Sequence, residues 1–405
     1  MPQRFRILGP DLAQDAATGL IWPRSANLLG FPLSWADALA AVANMNRDGL
    51  FGFHDWRMPN RVELRSLIDH ARRQPALPAA HPFRDVFLGW CWTSTTKAGL
   101  PAYAWNVHLE GGRMFYSRKD EFRLLWPVRG ESGVLPRTGQ ALCYDAEGGQ
   151  LPCRGGALAS GQDGALQQGV PWPEPRFEVL ETGVLGAGIL GAGAAGGDVA
   201  GSVAGDVAGT AGGDMAGDVA GSGVGAGHTG PWPAAGVRDR LTGLVWAHPA
   251  WLPAGPLDWA QAQELAAGWG GARGGAGWRL PEITELESLV DAQRADPALP
   301  LELLRLSGSG APGATASGQV ERTFGEAQGA FSAQDGEPVG VASARVAGAR
   351  VEGVPIAGAR VEGFWSATTS GFDAAWAFVL YVQKGAVGVG FKAGKEFFVW
   401  PVRRG

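Results

Sequence analysis

Cysteine, tyrosine and long apolar runs are scarce in this chain of 405 residues, which has three Cys and four Tyr. Three cysteines exclude a disulfide-rich scaffold, because such scaffolds depend on several bridges in a short secreted chain. The longest uncharged stretch, around residues 183–197, is rich in Gly and too short to span a bilayer. The first nine residues show no secretory signal. We therefore expect a soluble chain without a transmembrane segment.

Motifs for common catalytic and cofactor chemistry are also missing. The six His residues form no i,i+4 pair around a Glu, and no GxSxG elbow, phosphate loop or EF-hand occurs. Residues 186–191 satisfy GxGxxG, but no amphipathic helix follows, as a dinucleotide site requires. Two thiols without nearby His or further Cys cannot complete a zinc site. The sequence thus predicts no catalytic residue, metal or cofactor.

The three cysteines differ in their surroundings. Cys143 and Cys153 flank a turn-rich segment, so they form either a disulfide or two free thiols. Cys91 lies between Trp90 and Trp92 and is predicted to be a small buried hydrophobe. The formal net charge is −5, and the modestly basic first 130 residues contain no Lys/Arg cluster, which argues against a nucleic-acid partner.

The main positive feature is an ordered repeat. Residues 15–22 match 239–246, 56–69 match 278–291, 92–96 match 365–369, Trp105 is paired with Trp376, and 125–129 match 399–403. This period is much longer than that of solenoid repeats, so each copy is expected to be a whole domain with its own core.

The repeat sets the domain boundaries. Copy one spans residues 1–130, a linker with Cys143 and Cys153 spans 131–175, and copy two spans 176–405. Low-complexity insertions at about 183–235 and 303–360 interrupt copy two; they repeat Gly-Asp-Val-Ala-Gly and Ala-Arg-Val units and should not fold alone. Asp198, Asp206 and Asp214 recur every eight residues, but without the apolar anchor of a calcium-binding roll.

The order of elements predicts an α+β fold. A hairpin around residues 5–22 precedes a helix capped by Ser34 and a second helix with a capping box of Asn60 and Glu63. Alternating apolar residues then predict a meander of antiparallel strands. Both copies end in Trp-Pro-Val-Arg, and we expect this last strand to pair with the first strand of its domain.

Tryptophans at the same place in both copies are predicted to be structural, whereas ligand contacts are predicted where the copies differ in the late hairpins. The structural set is Trp22, Trp56, Trp92, Trp126, Trp246, Trp278, Trp365 and Trp400. The candidate ligand-binding set is His108, Arg113, Tyr116, Arg118, Asp373, Tyr381, Lys384 and Lys392.

Together, D-x-x-TGL-[IV]-W, WR-[LM]-P with ExxSL-[IV]-D, W-[ST]-x-TT and the closing W-P-V-R resemble the Lcl C-terminal-domain family of the C-type-lectin-like superfamily. The likeness covers about 1–130 and, without insertions, 176–405, and residues 138–153 resemble the family's lead into a second copy. The resemblance implies two helices packed on short antiparallel sheets, in exported or surface bacterial proteins that bind glycosaminoglycan or protein ligands. The Glu-Pro-Asn motif of calcium-dependent lectins is absent, so calcium-mediated sugar binding is not implied.

We therefore expect a non-enzymatic protein with tandem lectin-like modules that recognise a polysaccharide, such as a glycosaminoglycan, or a protein ligand. One alternative is a retroelement-diversified receptor of the same fold, with variation clustered between Trp365 and Trp400. Another is an enzyme resembling the formylglycine-generating oxidases. Those enzymes need a pair of reactive cysteines late in the domain, and no Cys follows Cys153. Localisation stays open, because the family suggests export but no signal is visible.

Overall fold

The computed structural model describes residues 4–180, 236–253, 255–270, 277–308 and 361–405. The GxGxxG match at 186–191, the aspartate repeat at 198–214 and the Ala-Arg-Val units at 344, 349 and 359 lie outside these ranges. The start of the second insertion, predicted near 303, falls within a helix at Leu301–Gly308.

Copy one consists of two antiparallel sheets and two helices. Its strands are β1 (Phe5–Ile7), β2 (Leu12–Asp15), β3 (Ile21–Pro23), β4 (Trp90–Thr96), β5 (Tyr103–His108) and β6 (Met114–Arg118), and its helices are α1 (Trp35–Asp48) and α2 (Arg61–Arg65). Ser34 caps α1 by accepting from the Asp37 N–H, and Asn60 and Glu63 form the predicted capping box of α2.

The segment predicted as a linker is folded and packs on copy one. It contains β7 (Cys143–Tyr144), β8 (Gln150–Leu151), α3 (Ala157–Ser160) and α4 (Asp163–Leu166). A disulfide joins Cys143 and Cys153, which decides between the two states left open by the sequence. Buried Asp163 accepts hydrogen bonds from the hydroxyls of Thr95 and Thr138, both at 2.7 Å.

Copy two repeats the arrangement of copy one. Its elements are β9 (Phe177–Leu180), β10 (Gly236–Asp239), β11 (Leu244–Ala247), α5 (Trp259–Ala267), α6 (Ile283–Ser288), α7 (Leu301–Gly308), β12 (Phe364–Thr369), β13 (Trp376–Tyr381), β14 (Ala386–Phe391) and β15 (Val402–Arg404). Asp258 forms a capping box with Gln261 at the start of α5. The observed fold is therefore α+β with antiparallel sheets.

A repeated ion pair fixes the start of each copy. The Arg4 guanidinium donates to both oxygens of Asp15 and to the Ser66 carbonyl. In copy two, Arg176 does the same to Asp239 and to the Ser288 carbonyl. Because a bidentate pair needs a fixed geometry, Arg176 is the structural counterpart of Arg4.

The eight shared tryptophans are buried, with exposed fractions from 0 to 4%. In each copy, the tryptophan of the first sheet meets the closing tryptophan edge to face. The Trp22 and Trp126 ring centroids are 5.4 Å apart, and those of Trp246 and Trp400 are 5.7 Å apart. These residues belong to the core, as the sequence predicted.

Two predicted pairings are wrong. The closing segment pairs with the third strand of its sheet, not the first: β15 lies against β11, and Arg129 bridges Ile21 of β3. In the order β15-β11-β10-β9, the first strand β9 and the closing strand β15 lie at opposite edges of the sheet. In the strand register, Trp105 corresponds to Phe378 and not to Trp376, since Thr93 and Ser366 donate to the carbonyls of Trp105 and Phe378.

The second sheets of the two copies join into one six-stranded sheet, in the order β12-β13-β14-β6-β5-β4. Its central strands, β6 and β14, are equivalent and run antiparallel, with Met114 opposite its own counterpart Val387. The copies are thus related by a local pseudo-two-fold axis at this pair. One apolar cluster contains side chains of both copies, so the expected separate cores are fused at the axis.

Candidate ligand-binding surface

Among the described residues, no helix covers the centre of one face of the six-stranded sheet. Helix α1 packs on this face over β4, and α5 packs on it over β12. On the opposite face, α2 and α6 bury Met114 and Val387. Because strand residues alternate between faces, the neighbours of Met114 on β6 point toward the open face between α1 and α5.

This central sheet face carries an exposed ring and two unpaired cations. Phe115 is 40% exposed. The Lys384 ammonium, from the β13–β14 turn of copy two, lies 5.9 Å from the Phe115 ring centroid. Arg113, two residues before Phe115 in the chain, is also exposed, and neither Arg113 nor Lys384 forms a salt bridge with any described residue. Residues of both copies therefore build one basic, aromatic surface.

Two further predicted residues border the central sheet face. The His108 ring lies 4.6 Å from the Trp90 ring, and its Nδ1 is 2.7 Å from the Glu110 carbonyl oxygen. Burial, helped by the charge of Arg113, lowers the pKa of His108, which keeps the imidazole neutral near pH 7. The Tyr381 ring covers Gly388, where an added Cβ would come within 2.7 Å of the ring.

Of the other four predicted residues, Tyr116 contacts this surface, because its ring stacks on Phe115 with centroids 4.7 Å apart and an interplanar angle of 11°. The Tyr116 ring also meets Trp105 edge to face and lies 5.6 Å from the Lys97 ammonium. Burial, with the charges of Arg61 and Lys384, lowers the pKa of Lys97 to about 8. Arg118 forms an exposed salt bridge with Asp120.

Asp373 and Lys392 have structural contacts. Asp373 accepts from the Ala375 N–H at 2.8 Å. The Lys392 ammonium lies 4.0 Å from the Trp259 ring and donates to Thr369. Lys119 stands at the same place in copy one, 4.0 Å from the Trp35 ring. Lys392 therefore does not differ between the copies, contrary to the reason for which the sequence selected it.

The family follows from these repeated features and from a direct match. Residues 11–129 and 235–403 match the Lcl C-terminal domain. The chain belongs to the Lcl C-terminal domain family. No curated protein sequence matches it. The two family segments fall within the two copies, and the folded segment with the disulfide lies between them.

Reactive centres are few in this member of the Lcl family. Among the described residues, no group of three His, Cys, Asp or Glu could hold a metal ion, and no helix has the length and hydropathy to cross a membrane. Cys91 is fully buried, and burial raises the pKa of its thiol to about 12. A thiol in this environment stays protonated and is a poor nucleophile.

Sequence reasoning missed Phe115 and Trp90 as members of the central sheet face. Alternation along Met114–Arg118 places Phe115 opposite to buried Met114, so the signal was present in β6. This signal could be interpreted as a surface site only with the pairing of β6 and β14. That pairing places both strands at the centre of the face, where none of the described helices covers them.

Proposed function

We propose that this protein is a non-enzymatic binding protein with two C-type-lectin-like modules, and that its central sheet face binds an anionic polysaccharide of the glycosaminoglycan type. The observation that carries the proposal is the exposed Phe115 ring next to Arg113 and Lys384, two cations without carboxylate partners among the described residues.

The chemistry of such a ligand suits this surface. An aromatic ring offers an apolar face for the C–H side of a sugar, and unpaired cations attract sulfate or carboxylate groups. Arg113 immediately precedes β6 of copy one, and Lys384 lies in the β13–β14 turn of copy two. A polymer that crosses the pseudo-two-fold axis would contact both copies at once. The two modules then act as one continuous site.

The state of the described thiols supports a binding role over an oxidase-like one. Cys143 and Cys153 are bonded to each other, and Cys91 is buried with a raised pKa. Oxidase chemistry of the formylglycine type needs an accessible thiolate with a partner.

The test is heparin binding by the full chain, measured by titration calorimetry at low and at physiological salt. We expect the double substitution Arg113→Ala with Lys384→Ala to weaken heparin binding about tenfold or more at low salt, because two cations that contact sulfate groups are lost. Phe115→Ala should weaken binding at both salt concentrations, since stacking is not screened.

Arg118→Ala is the matched control, because Arg118 is exposed but paired with Asp120 on the other face. Equal losses for Arg118→Ala and the double variant would refute the central sheet face as the site. A DNA oligonucleotide of equal charge that binds as well as heparin would refute selectivity for polysaccharide.

A further inference from the structure

The two sides of the pseudo-two-fold axis contain equivalent clefts, of which one is filled and one is open. The filled cleft lies between Thr95 of copy one and the loop 291–293 of copy two, and the folded segment 136–140 runs through it. The open cleft lies between Thr368 of copy two and the loop 69–71 of copy one, with a volume of about 340 Å³. It is lined by the counterparts of the filled cleft's residues.

The equivalence holds for individual hydrogen bonds. The Thr95 hydroxyl accepts from the Arg61 N–H, and the Thr368 hydroxyl accepts from the Ile283 N–H, both at 3.0 Å. In the two loops, Asp69 accepts from the Ala71 N–H, as Asp291 accepts from the Gln293 N–H. The walls of the two clefts are therefore built in the same way.

In the filled cleft, segment 136–140 satisfies polar groups of both walls. The Thr138 carbonyl accepts from the Ala292 N–H at 2.8 Å. The Gln140 side chain both accepts from the Thr96 N–H and donates to the Thr96 carbonyl, at 2.8 Å each. An extended strand of polypeptide is thus the ligand for which these walls are shaped.

The open cleft presents one of these groups without a partner. The His70 N–H, counterpart of the Ala292 N–H, meets no acceptor among the described residues, although His70 is 9% exposed. This N–H lines the open cleft and is available to an acceptor on an occupant. On the other side of the axis, the Thr138 carbonyl is the acceptor at the equivalent position.

The charge of the open cleft defines the occupant further. Asp69 and Glu282 line it, but Asp69 forms a salt bridge with Arg72 at 3.6 Å. Glu282 stands where the filled cleft has the neutral Asn60. The Arg4 guanidinium also lines the cleft but is engaged by Asp15 and the Ser66 carbonyl. Glu282 is therefore the acidic group that a Lys or Arg of an occupant would complement.

We propose that the open cleft is a docking site for a basic, extended segment of a partner protein, bound as segment 136–140 is bound on the other side of the axis. This site lies away from the central sheet face and is independent of polysaccharide binding.

The probe is a fluorescent peptide with the sequence of residues 134–142, with capped ends, so that Arg137 is its only charge. Fluorescence anisotropy with the full chain should show saturable binding. Glu282→Lys should weaken this binding about tenfold, and a peptide with Glu in place of the arginine should recover it. Thr284→Trp, at an exposed position on the lining, should block binding by bulk.

Glu264→Lys is the control, because it makes the same charge change at an exposed position on α5. The far-ultraviolet circular dichroism of each variant reports whether it is folded. Absence of saturable binding to the wild-type chain would overturn the proposal. So would equal binding by the wild-type chain, Glu282→Lys and Thr284→Trp, since the peptide would then occupy another place, such as the filled cleft after displacing segment 136–140.

Discussion

Copies one and two share their scaffold but differ where they meet. Arg65 of α2 and Glu287 of α6 occupy equivalent positions, yet they bind each other across the axis, with Nη2 to Oε2 at 2.5 Å. Two identical copies would place like charges at this point, which destabilises a contact that is largely buried. This difference between the copies therefore stabilises the interface between them.

The same comparison applies to the two clefts beside the axis. Segment 131–175 occurs once and fills one cleft, so Asp163 binds Thr95 while Thr368 remains at the edge of an open cleft. A duplicated domain joined by a single folded segment cannot be symmetric. The asymmetry leaves one binding position vacant among the described residues.

The largest expected effect comes from the ion pair at the axis. Arg65→Glu should lower the free energy of unfolding by about 3–5 kcal/mol, because Glu287 loses its partner and faces a like charge. Denaturant titration measures the loss. The double swap Arg65→Glu with Glu287→Arg should recover part of it, and Glu264→Arg on the exposed face of α5 should cost little. A double swap no more stable than Arg65→Glu would contradict the complementary-pair interpretation.

A smaller effect, dependent on pH, is expected at the filled cleft. Burial raises the pKa of Asp163 to about 6, despite the hydrogen bonds from Thr138 and Thr95. The folded state binds this proton more tightly than the unfolded state. Protonated Asp163 therefore contributes to the free energy of unfolding below about pH 4, and this stabilisation is lost as the pH rises toward 6. Asp163→Asn should remove this slope and raise stability at pH 7 by about 1–3 kcal/mol.

Denaturant midpoints at several pH values between 4 and 7 check this prediction. Asp373→Asn is the control, because Asp373 is exposed and should leave the slope unchanged. Retention of the wild-type slope in Asp163→Asn would assign the titration to another group.

The smallest effect is expected at the repeated lysine. Lys392→Met removes the contact of the ammonium with the Trp259 ring and should cost about 0.5–1 kcal/mol, since the site is partly exposed. Thermal unfolding measures this change, with exposed Lys395→Met as the control. If both substitutions give the same melting temperature as the wild-type chain, the Lys392 contact does not stabilise copy two.

Much of each copy could be predicted from the sequence because the signals are short-range. Ser34, and Asn60 with Glu63, act on N–H groups three residues away, and the pattern marked the starts of α1 and α2 correctly. The shared tryptophans were correctly placed in the core. The partners of the closing strand and the counterpart of Trp105 were mistaken, because strand register depends on distant pairings that no local motif encodes.

The candidate site was predicted only in part for the same reason. His108, Arg113, Tyr381 and Lys384 lie at or beside the open sheet face, and Tyr116 stacks on Phe115. Lys392, in contrast, is a structural residue. The role of segment 131–175 was also missed, since its composition suggests a plain linker and only its contacts with Thr95 and Thr96 show that it fills a cleft.

The sequence by itself determined the two copies, their caps, their tryptophan cores and their family, because these depend on residue type and on spacings of a few residues. The tertiary structure alone decided that β6 pairs with β14 and that Arg65 meets Glu287, 222 residues away. No local motif encodes contacts at such a distance, because they depend on how the complete edges of the two copies fit together. The shared sheet face and the open cleft are consequences of that fit.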